Sequence, residues 1–123
     1  MKITLIVVGK IKERYFRDAV REYEKRLSRY CKLEIREVPD EKTPDSASPA
    51  QEQQIKRKEG ERILAQIREG AYVIALAIQG KSLSSEQLAQ KLGTLAVSGT
   101  SHVAFIIGGS LGLDDGVLER ADE

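Results

Sequence analysis

Four short apolar runs, separated by segments with helical periodicity, constrain the fold of this chain more than any other feature. The runs are residues 3–8, 33–38, 72–78 and 103–107. Most are apolar almost throughout, which is typical of strands buried on both faces of a sheet. The run 33–38, "LEIREV", instead alternates apolar and charged residues, so we expect it at an edge of the sheet.

Between the runs, apolar residues recur at spacings of three and four, as in amphipathic helices. The first helix is predicted over 14–30, with basic residues opposite a stripe of Phe16, Ala19, Val20, Tyr23, Leu27 and Tyr30. That spacing favours packing of the stripe, and of Tyr15 beside it, in the core over stacking on nucleic-acid bases.

A second helix is predicted over 51–68, with Ile55, Ile63, Leu64 and Ile67 on its apolar side. Gly60 inside it weakens the case for an unbroken helix. A third helix starts after Ser84, which forms a capping-box pattern with Gln87. Its buried stripe is predicted to be Leu88, Leu92 and Leu95.

The element order β-α-β-α-β-α-β predicts an α/β fold, a single domain over 1–123 with a mainly parallel sheet and helices on both faces. In such sheets ligands bind outside the carboxyl ends of the strands. Those ends are Gly9, Gln79 with Gly80, and the stretch 108–112, "GGSLG".

The glycine stretch has two interpretations that the residues alone leave open. Glycines at 108 and 109 let the backbone lie against a flat ligand. Alternatively the stretch is a plain turn before a helix whose N-cap is Asp114. It is not the G-x-G-x-x-G fingerprint of dinucleotide binding, and "QGKS" at 79–82 has Ala75 where a phosphate-binding loop needs glycine.

Charge and cysteine content narrow the class of protein. Residues 1–36 hold 11 Lys/Arg against 5 Asp/Glu, an excess that suits one face to a polyanion. Charge alone favours the alternative that these residues include the solvated side of an amphipathic helix. The single Cys31 excludes an internal disulfide, and the isolated His102, expected at the surface, offers no metal site. No apolar run reaches the ~20 residues of a membrane span, and a cytoplasmic location is the default expectation.

Several separated segments together carry a family resemblance. "MKITLIVVGKIKERYFRDAVREYEKRLSRYCKLEIREVPDEK", "KEGERIL", "VIALAIQGKSLSSEQLAQ" and "FIIGGSLGL" occur in this order. With them the chain resembles the bacterial ribosomal RNA large subunit methyltransferase H family, small enzymes of the knotted SPOUT class. The resemblance implies methylation of N3 of a pseudouridine in 23S ribosomal RNA with S-adenosylmethionine as methyl donor.

Carried over residue by residue, the resemblance implies that Leu76 and Gly108 contact the cofactor and that Gly109 and Gly112 shape the same pocket. It assigns no catalytic base. The RNA phosphates would be held by the basic residues that follow the first strand, namely Lys10, Lys12, Arg14, Arg17 and Arg21. The implied partners are the large subunit or the assembled ribosome and, at full length, a second copy in a homodimer, with neither membrane nor metal.

The family's chains continue past the position of Glu123 into a strand, a knot-forming loop and a last helix. We therefore expect this chain to be C-terminally truncated, lacking the knot segment. A non-catalytic fragment that binds RNA through residues 10–36 is the alternative function. A dinucleotide-dependent oxidoreductase is a third reading that rests on the parallel sheet alone.

Overall fold

A four-stranded parallel sheet forms the centre of the computed structural model, which describes residues 1–123. Its strands are β1 (Lys2–Val8), β2 (Lys32–Val38), β3 (Tyr72–Ala75) and β4 (His102–Ile107), in the order β2-β1-β4-β3. Every neighbouring pair is parallel. The predicted parallel α/β sheet is confirmed, and the alternating strand β2 lies at an edge as expected.

Four helices connect and follow the strands: α1 (Arg14–Leu27), α2 (Pro49–Gln66), α3 (Ser85–Val97) and α4 (Asp115–Arg120). Ser84 and Gln87 form the predicted capping box at the start of α3. A second capping box, made by Ser48 and Gln51, begins α2. These reciprocal bonds satisfy backbone N–H groups that the first turn of a helix leaves without partners.

One face of the sheet is covered by α2 and α4 and holds the main core. Side chains of all four strands meet the two helices there: Ile6, Val38, Val73, Ala104, Ile106, Ile63 and Val117. Gly60 lies within an unbroken α2, where a Cβ would stand only 3.0 Å from the Asp114 Cβ and 3.3 Å from Val117 Cγ2. The glycine therefore lets α4 approach α2 closely.

The opposite face carries α3 and α1, which behave differently. α3 packs its Leu88, Leu92 and Leu95 against Ile74, Val103 and Phe105, as predicted, but the three leucines are half-buried rather than buried. The core packing predicted for the α1 stripe is wrong, because no residue of α1 is buried and the exposed fractions of Phe16 and Tyr23 are 52% and 62%. The side chain of Leu64 on α2 is also exposed.

Three further predictions need correction. β3 ends at Ala75 rather than 78, because Gly80 N donates to Ala77 O and turns the chain away from the sheet. α1 ends at Leu27, whose carbonyl accepts from the amides of Tyr30 and Cys31 as the chain turns toward β2. His102 is half-buried, with Nε2 2.8 Å from the buried hydroxyl of Thr4.

Candidate functional site

The glycine loop after β4 is folded tightly on itself. A Cβ on Gly108 would lie 2.8 Å from Leu113 Cδ2 and 3.1 Å from the carbonyl of Gly112. Gly112 donates its N–H to Gly109 O at 3.0 Å and has φ +88°, a conformation that favours glycine. Asp114 caps α4 as the turn interpretation predicts, with its carboxylate accepting from Gly116 N. The cap does not exclude a ligand at the preceding glycines.

Leu76 lies beside the start of this loop. Its N–H donates to Ile106 O at 2.9 Å, so the residue after β3 is held next to the end of β4. The Leu76 side chain is 53% exposed although it adjoins a buried sheet. Leu76 and Gly108, 32 positions apart in the sequence, therefore stand at the ends of neighbouring strands, where parallel sheets bind ligands.

Glu59 is a site residue that sequence reasoning missed. It belongs to α2, is only 4% exposed, and accepts the Glu41 N–H through Oε2 at 2.9 Å. Its other oxygen, Oε1, faces Gly109, where a Cβ would come within 2.8 Å of it. Glu59 stands four residues from both Ile55 and Ile63, so a carboxylate within the apolar stripe of α2 was the available signal.

A cavity of about 600 Å³ opens between these groups. It lies at the carboxyl ends of β1 and β2 and is closed on one side by the glycine loop. Most of its wall is polar: Gly9, Lys10, Lys12, Glu37, Asp40, Glu41, Glu59, Gly109 and Ser110. Lys10 and Lys12 form no ion pair within the protein, so their charges remain available to an anion.

A second cavity of about 680 Å³ separates α1 from the sheet. Lys10, Arg17 and Arg21 line it, facing Leu5 and Ile35 of the sheet. Arg17 Nη2 donates to Lys12 O at 3.0 Å. The structure thus brings together four of the five predicted RNA-binding residues around two adjoining cavities, whereas the exposed Arg14 lines neither.

The whole chain, residues 1–123, matches the sequence pattern of the family described as "Predicted SPOUT methyltransferase". The chain belongs to the SPOUT methyltransferase family. It is similar to proteins named ribosomal RNA large subunit methyltransferase H: 66% identical in Bifidobacterium adolescentis, 60% in Alkaliphilus oremlandii and 53% in Acetivibrio thermocellus. Each alignment spans 122 residues, or 99% of this chain and 77% of the relative.

Family membership confirms the resemblance seen in the sequence and the α/β class predicted from its strands. It establishes a methyltransferase whose named relatives act on ribosomal RNA. The side chains of this SPOUT methyltransferase bring no three His, Cys, Asp or Glu residues into a cluster able to hold a metal ion. None of its helices combines the length and apolar character of a membrane span.

Proposed function

We propose that this SPOUT methyltransferase transfers a methyl group from S-adenosylmethionine to N3 of a pseudouridine in 23S ribosomal RNA. The observation that carries the proposal is the juxtaposition of Leu76 with the glycine loop at one end of the sheet, in a chain 66% identical to a ribosomal RNA methyltransferase. When bound, S-adenosylmethionine supplies an electrophilic methyl group on a positively charged sulfur.

The residues at this edge fit such a cofactor. The half-exposed Leu76 side chain offers an apolar surface, and the half-buried glycines at 108, 109 and 112 carry main-chain groups that can meet the edges of an adenosine. The site needs no phosphate-binding loop, because this cofactor carries no phosphate. Leu76 and Gly108 hold the cofactor in the proposal, and Gly109 and Gly112 keep the loop in its folded form.

The RNA strand lies along the basic residues after β1. Lys10 and Lys12 line the cavity that Gly109 also lines. Arg17 and Arg21 line the adjoining cavity beside α1, and Arg14 extends the basic surface along the first turn of α1. Contacts of this kind hold phosphates without reading sequence and weaken as salt rises. The shared cavity of Lys10, Lys12 and Gly109 supports binding of an RNA nucleotide next to the glycine loop. In the proposal the main contribution of the protein to the rate is alignment of the two reactants.

The proposal includes a setting and partners. The substrate is 23S ribosomal RNA in the large subunit or the assembled ribosome, and the reaction takes place in the cytoplasm. A homodimer is the proposed assembly at the length of the relatives. The name shared by the relatives supports the RNA substrate, whereas the dimer and the location remain predictions.

Calorimetric titration with S-adenosylmethionine tests the cofactor site directly. We expect the wild-type chain to bind and Gly108→Ala to weaken binding by about tenfold or more, ~1.4 kcal/mol, because the new methyl group would clash with Leu113 and Gly112. Gly93→Ala is the matched control, since a Cβ there meets nothing within 4 Å. Absence of cofactor binding, also at the length of the relatives, would refute the proposal; RNA binding without methyl transfer would favour the non-catalytic alternative.

A further inference from the structure

The carboxylate of Glu59 is out of place by the ordinary rules of burial. A glutamate is almost never fully buried unless it is paired, yet Glu59 is 4% exposed and forms no salt bridge. Only Oε2 has a partner, the Glu41 N–H. Oε1 accepts no hydrogen bond from the protein and stands against Gly109, at the wall of the cavity of about 600 Å³.

This free oxygen is distinct from the other acidic groups around the cavity. Glu37 and Asp40 also line it, but both are exposed and their carboxylates are hydrated by solvent. Glu41 is neutralised by Arg62, whose Nη2 lies 2.5 Å from Oε1 of Glu41. Of these carboxylates only that of Glu59 belongs to a buried residue, and its Oε1 lacks a protein donor while staying open to the cavity. A ligand that fills the cavity shields this oxygen from water, so a ligand N–H placed there forms a strong hydrogen bond.

Pseudouridine carries a matching donor that uridine lacks. Its ring is joined to the ribose through C5, so N1 bears a hydrogen, and uridine presents a C–H group at the corresponding ring position. The two nucleosides are otherwise the same in shape. A protein that separates them by direct contact needs an acceptor placed at N1–H.

We propose that Glu59 is a specificity-determining residue, whose Oε1 accepts the N1–H of a pseudouridine held in the cavity beside Gly109. The inference rests on the proposed function, in which a pseudouridine binds next to the glycine loop. Lys10 and Lys12, unpaired on the same wall, hold the flanking phosphates. The target base leaves its stack to enter the cavity, as bases modified by other enzymes do.

Gly109 and Glu41 set the position of the acceptor. Any side chain at 109 would occupy the space of Oε1, because a Cβ there would lie 2.8 Å from it. The Glu41 N–H fixes the other oxygen at 2.9 Å. A bound uridine leaves the carboxylate oxygen without a donor, and a buried acceptor left unpaired disfavours the complex by about 10- to 100-fold.

The test uses three RNA hairpins that differ at one nucleotide: pseudouridine, uridine or 1-methylpseudouridine. We expect the wild-type chain to bind the pseudouridine hairpin about 10- to 100-fold more tightly than the other two, since both lack N1–H. In Glu59→Gln the side-chain oxygen stays with the Glu41 N–H, so an NH₂ group faces the cavity and the preference falls to near one. Glu61→Gln, an exposed residue of the same helix, is the matched control and keeps the wild-type preference.

Calorimetry with S-adenosylmethionine and a thermal melt accompany each measurement. If Glu59→Gln keeps the preference, or wild type binds all three hairpins equally, the role of Glu59 is refuted while the proposed function stands. If Glu59→Gln loses cofactor affinity and keeps its RNA preference, Glu59 belongs to the cofactor site and the inference fails. If the variant does not fold, the uridine and 1-methylpseudouridine hairpins still test the inference with the wild-type protein alone. A wild-type protein that binds neither cofactor nor RNA overturns the proposed function as well as the inference.

Discussion

The two faces of the sheet are packed to different extents, although the sequence marks helices for both. On one face α2 and α4 bury Ile63 and Val117 to 1% and 0% exposure against the strands. On the other face α3 packs half-buried leucines against the strands, whereas most apolar residues of α1 are exposed and a cavity of about 680 Å³ separates α1 from the sheet. Amphipathic spacing thus tells which side of a helix is apolar, while burial requires an opposing surface at the right distance.

Most of the packing that stabilises the fold lies on the face covered by α2 and α4. Close approach at Gly60 and the buried strand residues make the α2 and α4 face dense, and dense packing fixes the position of Glu59 beside the glycine loop. The α1 face contributes exposed arginines and aromatic rings instead. The molecule therefore combines a rigid support for the site with a charged surface that contributes little to folding.

The largest expected difference between the faces is in the free energy of unfolding. Ile63→Ala leaves a cavity in the packed face and should lower this free energy by about 2–5 kcal/mol. Tyr23→Ala on α1 should change it by less than about 0.5 kcal/mol, since the ring is 62% exposed. Urea unfolding followed by circular dichroism measures both, and equal losses would show that α1 packs as tightly as α2.

Two glycine-to-alanine substitutions, one on each face, should differ by about 1 kcal/mol in their effect on the free energy of unfolding. Gly93→Ala in α3 meets nothing within 4 Å, so it should stabilise the protein by about 0.5–1 kcal/mol through helix propensity. In Gly60→Ala the same gain in helix propensity should be cancelled by overpacking, because the new Cβ would lie 3.0 Å from the Asp114 Cβ. Thermal unfolding of both variants tests this contrast; a stabilising Gly60→Ala would mean that α4 moves away readily.

Removing an arginine from α1 should weaken RNA binding more than removing one from α2. Arg17→Ala, at the cavity beside α1, should lower RNA affinity and reduce the slope of log affinity against log salt by about 1. Arg57→Ala, on the exposed side of α2 and without an ion pair, is the matched control and should leave the slope unchanged. Titrations at several salt concentrations measure the slopes, and equal effects would argue against a preferred RNA surface at α1.

The smallest expected effect is a pH dependence of the free energy of unfolding, caused by His102 on the face that α2 and α4 cover. Burial lowers the pKa of His102 below its ordinary 6.5, aided by the charges of Lys2 and Arg68. The folded state therefore binds fewer protons than the unfolded chain, and the free energy of unfolding should fall as pH drops below about 6.5 through the folded pKa. His102→Asn should lose this component, which urea titrations between about pH 7 and pH 5 detect. An unchanged pH profile would contradict it.

Much of the fold was predictable because it depends on local signals. Strand runs, the capping box at Ser84 and the edge position of β2 were each encoded in a short segment. The end of β3 at Ala75 was not, because apolar character continues to residue 78 while a turn at Gly80 removes the chain from the sheet. The half-buried state of His102 depends on Thr4, 98 positions away.

The candidate site was predictable only in part. Its place at the carboxyl edge follows from the parallel sheet, and the residues carried over from the family, Leu76 and Gly108, lie at neighbouring strand ends. The position of Glu59 in the apolar stripe of α2 signals its burial, but no local pattern indicates its contact with Gly109. That contact joins α2 to the loop after β4, and a spacing of 50 residues contains no information about it.

The segment after β2 is bonded to α2 through Pro39 and Glu41, two of its residues that line the cavity. Arg62 donates to Pro39 O at 2.9 Å and pairs with Glu41, whose N–H in turn reaches Glu59. The exposed stretch Pro44–Ser46 lies beyond these anchors. A fluorophore or a peptide tag can therefore be attached in this stretch, because the bonds of Pro39 and Glu41 to α2 keep the cavity unchanged when the rest of the β2–α2 loop is altered.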